Sequence, residues 1–162
     1  AIPCYGNSET IAQLQRMFPY VLDSAKHGFF EIPVVTFHVV EEPFELFGRT
    51  VVPVPLVHGE WPCFGYRFGA FAYCTDVREI PPASMDLLRD LDTLVLGALR
   101  HRPHRTHFTI EQAVEVVGEL RPRRTFFTHL SHDLEHEKTS RELPEGVDLA
   151  WDGLTPDLPD PA

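Results

Sequence analysis

A change of period near residue 80 constrains the fold more than any other feature of the sequence. Before it, the chain is a succession of short runs rich in Val, Phe and Tyr, at 33–40, 44–47, 50–57, 64–68 and 71–75, punctuated by Gly48-Arg49 and Gly69-Ala70. Runs of this kind, bounded by Gly and Pro, are strands joined by tight turns, so antiparallel hairpins are expected. After residue 80, helix and strand alternate. A short helix is expected at 84–89, a continuous apolar strand at 92–99 and a helix at 109–120. That helix opens on a capping box, Thr109-Ile110-Glu111-Gln112, and its Ile110, Ala113, Val114, Val117 and Leu120 recur at helical spacing. Arg121-Pro122 stops it; a strand at 124–130, a polar helix at 133–141 and a last strand at 147–151 follow. Hairpins followed by α/β units fit sheets packed face to face with helices outside. At the start, Ile2-Pro3-Cys4-Tyr5 reads as the end of a strand, and Asn7 or Ser8 can cap a helix over 9–18. Residues 1–154 are assigned to one domain and the Pro- and Asp-rich 155–162 to a flexible tail.

Charge narrows the function. With 14 Lys+Arg against 24 Asp+Glu, the net charge of −10 excludes a general nucleic-acid binder, because phosphate contacts need clustered cations. An anionic substrate must then be held by a local device such as a metal. No apolar run reaches the roughly 18 residues of a membrane span, and the N-terminus lacks the pattern of a signal peptide, so the expectation is a soluble, cytoplasmic chain without membrane contact. The cysteines, Cys4, Cys63 and Cys74, are odd in number and lack C-x-x-C spacing; they are expected to be buried thiols.

Histidines carry more information, and several close strands. His58 ends the run Val51-Val52-Pro53-Val54-Pro55-Leu56-Val57, Asp76 ends Phe71-Ala72-Tyr73-Cys74-Thr75, and His129 ends Thr125-Phe126-Phe127-Thr128 with His132 just beyond. His107 precedes the capped helix. Strand ends are where a rigid scaffold presents ligands to a cleft, and two imidazoles with a carboxylate suit Zn²⁺, Mn²⁺ or Fe. A strand-end Asp is also a common turn residue, so spacing alone leaves both roles open. His101 and His104, in a basic loop, are expected to be solvated, and His27, His38 and His136 to have surface or packing roles. Trp61 and Tyr66 are expected in the core or a cleft wall.

These residues resemble a known family. Val54-Pro55-Leu56-Val57-His58-Gly59, with Phe64-Gly65-Tyr66-Arg67-Phe68 and Tyr73-Cys74-Thr75-Asp76, is similar to the third-histidine and bridging-aspartate motifs of metallo-β-lactamase-fold hydrolases. Thr128-His129-Leu130-Ser131-His132 resembles their last-histidine motif, and residues 147–154 their closing strand. The resemblance runs from Ile2 to Leu154 and is nearest to the phosphoribosyl cyclic phosphate phosphodiesterases of phosphonate breakdown. It implies the α/β four-layer αββα sandwich, with this chain as its C-terminal portion. It also implies two divalent ions, Zn or Mn with Fe as a further option. His58 would complete one ion's site, His129 the other's, and Asp76 would bridge them as part of the catalytic set. His107 falls where that branch places a proton donor to the leaving group, and His132 would steady His129.

The family's H-x-H-x-D-H motif does not occur in these residues. By the resemblance it lies upstream of Ala1, so the expectation for this chain alone is a partial or empty metal site and little activity. Association with the missing segment or with itself is expected, because a truncated sandwich bares apolar faces. The intact protein is expected to cleave a small, cyclic phosphodiester. Thioester or lactam hydrolysis is the rival within the fold, and a non-catalytic binding or structural subunit the rival outside it.

Overall fold

The structure, a computed structural model, describes residues 2–22 and 34–158. His27, the first residue of the 33–40 run and the last four residues of the expected tail lie outside the described residues. The chain forms two compact units, Ala1–Phe44 and Glu45–Ala162.

In the first unit, strand β1 (Ile2–Gly6) leads to helices α1 (Ser8–Met17) and α2 (Pro19–Leu22) and to strand β2 (Val35–Val39). Asn7 caps α1, its side chain accepting from the Thr10 amide at 2.7 Å, and Ile11 is buried next to Gly6. β1 and β2 pair in parallel, from Ile2 opposite Val35 to Gly6 opposite Val39. This corrects the hairpin expected for the 33–40 run. Helices α1 and α2 intervene between the partners, and parallel pairing needs such a crossover where a tight turn would give an antiparallel pair.

From β3 (Phe44–Leu46) onward a seven-stranded sheet forms in the order β3-β4-β5-β6-β7-β8-β9. Its further elements are β4 (Arg49–His58), β5 (Trp61–Phe68), β6 (Phe71–Cys74), α3 (Pro82–Leu87), β7 (Thr93–Gly97), α4 (Ile110–Leu120), β8 (Arg124–Thr128), α5 (His136–Glu142) and β9 (Val147–Leu149). The period change in the sequence is a change of pairing in the sheet: β4, β5 and β6 are antiparallel hairpins, whereas β6 to β9 are parallel. Two reversals leave β4 and β6 running the same way. Hence β4, β6, β7, β8 and β9 share one carboxyl edge, and β5 runs back between the first two.

Alternate residues of these strands, among them Val54, Leu56, Ala72, Cys74, Leu94, Leu96, Phe127 and Leu149, make one buried face. Ile110, Ala113 and Leu120 of α4 belong to the same core. The capping box is present, with Thr109 and Gln112 each bonding the other's backbone amide. β7 is buried at every residue, as a central parallel strand covered on both faces must be. The result is a mixed α/β fold with one large sheet. Among the described residues, no helix is long and apolar enough to cross a membrane.

Candidate metal centre

The shared carboxyl edge collects the predicted ligands. His58 is the last residue of β4, Asp76 lies two beyond β6, and His129 lies one beyond β8. Carboxyl ends of parallel strands are where α/β sheets place ligand groups. Asp76 and His129 stop their strands early by adopting φ of 52° and 62°, left-handed values that cost on the order of 1 kcal/mol or more. The turns bring the two side chains together, with His129 Nε2 3.1 Å from Asp76 Oδ1. β7 lies between β6 and β8 in the sheet and ends in Gly97, where a Cβ would sit 3.3 Å from the Asp76 nitrogen. A bare glycine there lets the 75–76 segment close over the strand.

His107 arrives on the connection from β7 to α4. That connection is stitched to its neighbours: the Phe108 amide donates to Val77 O at 2.8 Å and the Ser131 amide to Leu99 O at 2.8 Å. His58, Asp76 and His107 consequently offer ligand atoms that all lie within 4.8 Å of one another. The His107 ring is 4.6 Å from those of His58 and His129 and 5.0 Å from that of His104.

His58 Nδ1 is 2.9 Å from the Thr106 carbonyl oxygen. A carbonyl only accepts, so Nδ1 carries the proton and Nε2 keeps its lone pair for a ligand. The glycine that follows makes the approach possible: Gly59 has φ of 64°, and a Cβ on it would lie 2.7 Å from Thr106 Cγ2. Burial first, then the neighbouring His129 and His58, push the His107 imidazole down to about 4, against an opposing pull from Asp76. The free ring is therefore neutral near pH 7. A fixed tautomer, a neutral imidazole and a carboxylate at these spacings fit a divalent cation such as Zn²⁺ or Mn²⁺.

The thiols do not join the donors. Burial, then Asp76, raises Cys63 to about 11, and burial, then Cys63, raises Cys74 to about 12, so both stay protonated. Cys63 instead donates its S–H to the Asp76 carbonyl at 3.1 Å and braces that turn. Cys74 is buried, whereas Cys4 and Cys63 are only half-buried.

His132 is not brought to the cluster: its side chain is 96% exposed beside Asp133. His101 is exposed and pairs with Glu111 at 2.6 Å. His104 departs from its expected solvated role; it is half-buried next to His107, its Nδ1 accepting from the Thr106 amide at 3.4 Å. Its spacing of three from His107 inside one short loop was the available signal. Gly59, Glu60, Trp61, Arg100, His104 and Arg105 line an open cleft of about 610 Å³, in which Trp61 is an exposed wall.

The family description "Beta-lactamase superfamily domain" matches residues 1–130. Among solved structures, a diphosphatase of the PhnP family is 47% identical, with a TM-score of 0.85 over 94% of this chain and 56% of that one. Zn²⁺-bound PqqB from Methylobacterium extorquens is 16% identical with a TM-score of 0.73 over 96% and 64%, a likeness of fold alone. An octanoyltransferase of Porphyromonas gingivalis is 33% identical over 114 residues, which are 69% of this chain and 23% of that protein. The chain thus spans little more than half of the diphosphatase and less than a quarter of the octanoyltransferase.

Proposed function

The chain belongs to the beta-lactamase superfamily, a family of metallo-hydrolase fold, and from that premise we propose that it is the C-terminal portion of a metal-dependent phosphodiesterase acting on a small phosphodiester. The observation that carries this reading is the convergence of His58, Asp76, His107 and His129 on one sheet edge, with the His58 tautomer set by Thr106. The 47% identity with a diphosphatase of the PhnP family supports hydrolysis at phosphorus over the thioester and lactam alternatives.

In this proposal His58, Asp76 and His129 would hold the divalent ions, Zn or Mn with Fe as a third option. When bound, such ions supply Lewis acidity and bring the pKa of a coordinated water toward neutrality. The chain's own groups do the rest. Thr106 orients His58, and Cys63 holds the Asp76 turn. Arg100, paired to Asp133, and Arg105 line the adjoining cleft together with Glu60. His107 delivers a proton to the leaving oxygen. Burial and the neighbouring imidazoles hold the free ring well below its ordinary range, so to act as an acid it must take up its proton in the substrate complex. The remaining ligands are assigned to an H-x-H-x-D-H segment outside this sequence, with which the chain associates.

A second role for His107 has its own support, since its ligand atom lies with those of His58 and Asp76. Metal analysis and kinetics of His107→Gln in the full-length protein separate the two. As an acid, its loss leaves metal content intact and slows esters with poor leaving groups most; as a ligand, its loss strips metal. Turnover of bis(p-nitrophenyl) phosphate by the metal-loaded protein supports the phosphodiesterase proposal. Inertness there with hydrolysis of a thioester would transfer the protein to the rival chemistry, and inertness toward both would favour a non-catalytic subunit.

A further inference from the structure

Beyond the metal-binding edge, one carboxylate ties together the two connections that meet at the site. Asp133, four residues past His129, accepts from Arg102 Nη2 at 2.6 Å and from Arg100 Nη1 at 3.4 Å. Arg100 also donates to the carbonyls of Arg102 and Pro103, at 3.3 and 3.4 Å, so it folds residues 100–103 into a bend. The chain just beyond that bend carries His104 and His107. Asp133 is anchored from behind, its amide donating to Ser131 Oγ at 3.2 Å, while the Ser131 amide bonds Leu99 O. Asp133 and Arg100 are largely sheltered, with side chains 28% and 26% exposed, and Arg102 closes the pair from outside at 73%.

We infer that Asp133 is a positioning residue, which by clamping Arg100 and Arg102 holds His107 at its distance from His129 and so fixes where the proton is delivered. The inference rests on the acid role assigned to His107. Ion pairs this close to solvent add little to global stability. The clamp acts on geometry. His107 and His129 stand on separate connections, and their ring separation of 4.6 Å depends on what links those connections.

The test uses the full-length, metal-loaded protein and a series of aryl phosphodiesters running from p-nitrophenyl to phenyl leaving groups. A p-nitrophenoxide departs without help, whereas a phenoxide needs its proton. Asp133→Asn is expected to lower kcat on the phenyl ester roughly 10-fold or more and on the p-nitrophenyl ester less than about 3-fold, because misplacing an acid costs only the steps that use it. Asp133→Glu should recover part of the loss, with metal content and Tm unchanged. Should Asp133→Asn lower Tm or metal content, Arg102→Gln, at the exposed end of the clamp, must give the same steepening. Equal losses on all esters, or none, in that variant and in Asp133→Asn overturn the positioning role. His107→Gln is run alongside. If it steepens the series and the clamp variants do not, only this inference fails; if it does not steepen the series, the acid role and the inference fall together.

Discussion

Replacing Gly59 by alanine tests whether the backbone was shaped to seat His58. The substitution has two costs that can be separated. A φ of 64° is left-handed, where a Cβ costs about 1–2 kcal/mol. The new Cβ would also stand 2.7 Å from Thr106 Cγ2, and relieving such overpacking costs about 1–3 kcal/mol. Gly59→Ala should therefore lose about 2–5 kcal/mol in urea unfolding, read as a fall in midpoint at constant slope. The next nearest atom is Thr106 Cβ at 3.6 Å, an ordinary contact. Thr106→Ser removes the methyl and keeps the carbonyl that holds His58. In that background Gly59→Ala should cost only its backbone part, giving a coupling of about 1–3 kcal/mol in the four-way cycle. A loss under about 0.5 kcal/mol, the range of an ordinary surface change, or an equal loss in both backgrounds, would refute the account.

Three further expectations follow from the same geometry. Thr109→Ala removes the capping box of α4 and should cost about 0.5–2 kcal/mol, measured by thermal or urea unfolding; a neutral result would mean that the helix start is held by its burial alone. In metal-stripped protein, His107 titrates at about 4 rather than at 6.5, so the native state binds fewer protons than the unfolded state between those values and stability rises with pH across that window. Wild type should lose more Tm than His107→Ala on going from neutral pH to about 4, and parallel losses would count against the depressed imidazole. The 162-residue chain alone, with its partial ligand set, should hold under about 0.2 equivalents of zinc or manganese by elemental analysis, rising toward two when the H-x-H-x-D-H segment is supplied; near-stoichiometric metal on the chain alone would show that its own donors suffice.

The order of the elements was legible in the sequence because period and punctuation are local properties. The switch near residue 80, the capping box at Thr109 and the strand endings at His58, Asp76 and His129 all appear where hydrophobic pattern places them. The strands within 92–99 and 124–130 are shorter than the apolar runs that suggest them, because apolar residues continue past Gly97 and Thr128 while the strands end there. What could not be read is which connections meet. His58 and Thr106 are 48 residues apart, and nothing in either segment's periodicity announces the hydrogen bond between them. For the same reason nothing in the periodicity separates a half-buried His104 from a solvated one, or joins Asp133 to Arg100 and Arg102. β1 and β2 were a different failure: Val-rich runs look alike whether their partner follows a turn or a helix. The family resemblance read from residues 54–59, 73–76 and 128–132 was borne out by the family match, and with it the α/β fold.

Because β4, β6, β7 and β8 all point the same way, the sheet has two margins with unequal tolerance for change. One margin carries the clustered histidines, Asp76 and the connection that bears His107. The other holds the entries into these strands, at 47–48, 69–70, 88–92, 121–123 and 144–146, and none of the cluster residues lies there. New chain could be spliced into the exposed Phe47-Gly48 turn, or the polypeptide reopened there, without passing near the imidazoles. A fluorescent reporter or a purification handle belongs on that side, and a graft that changes specificity belongs on the other.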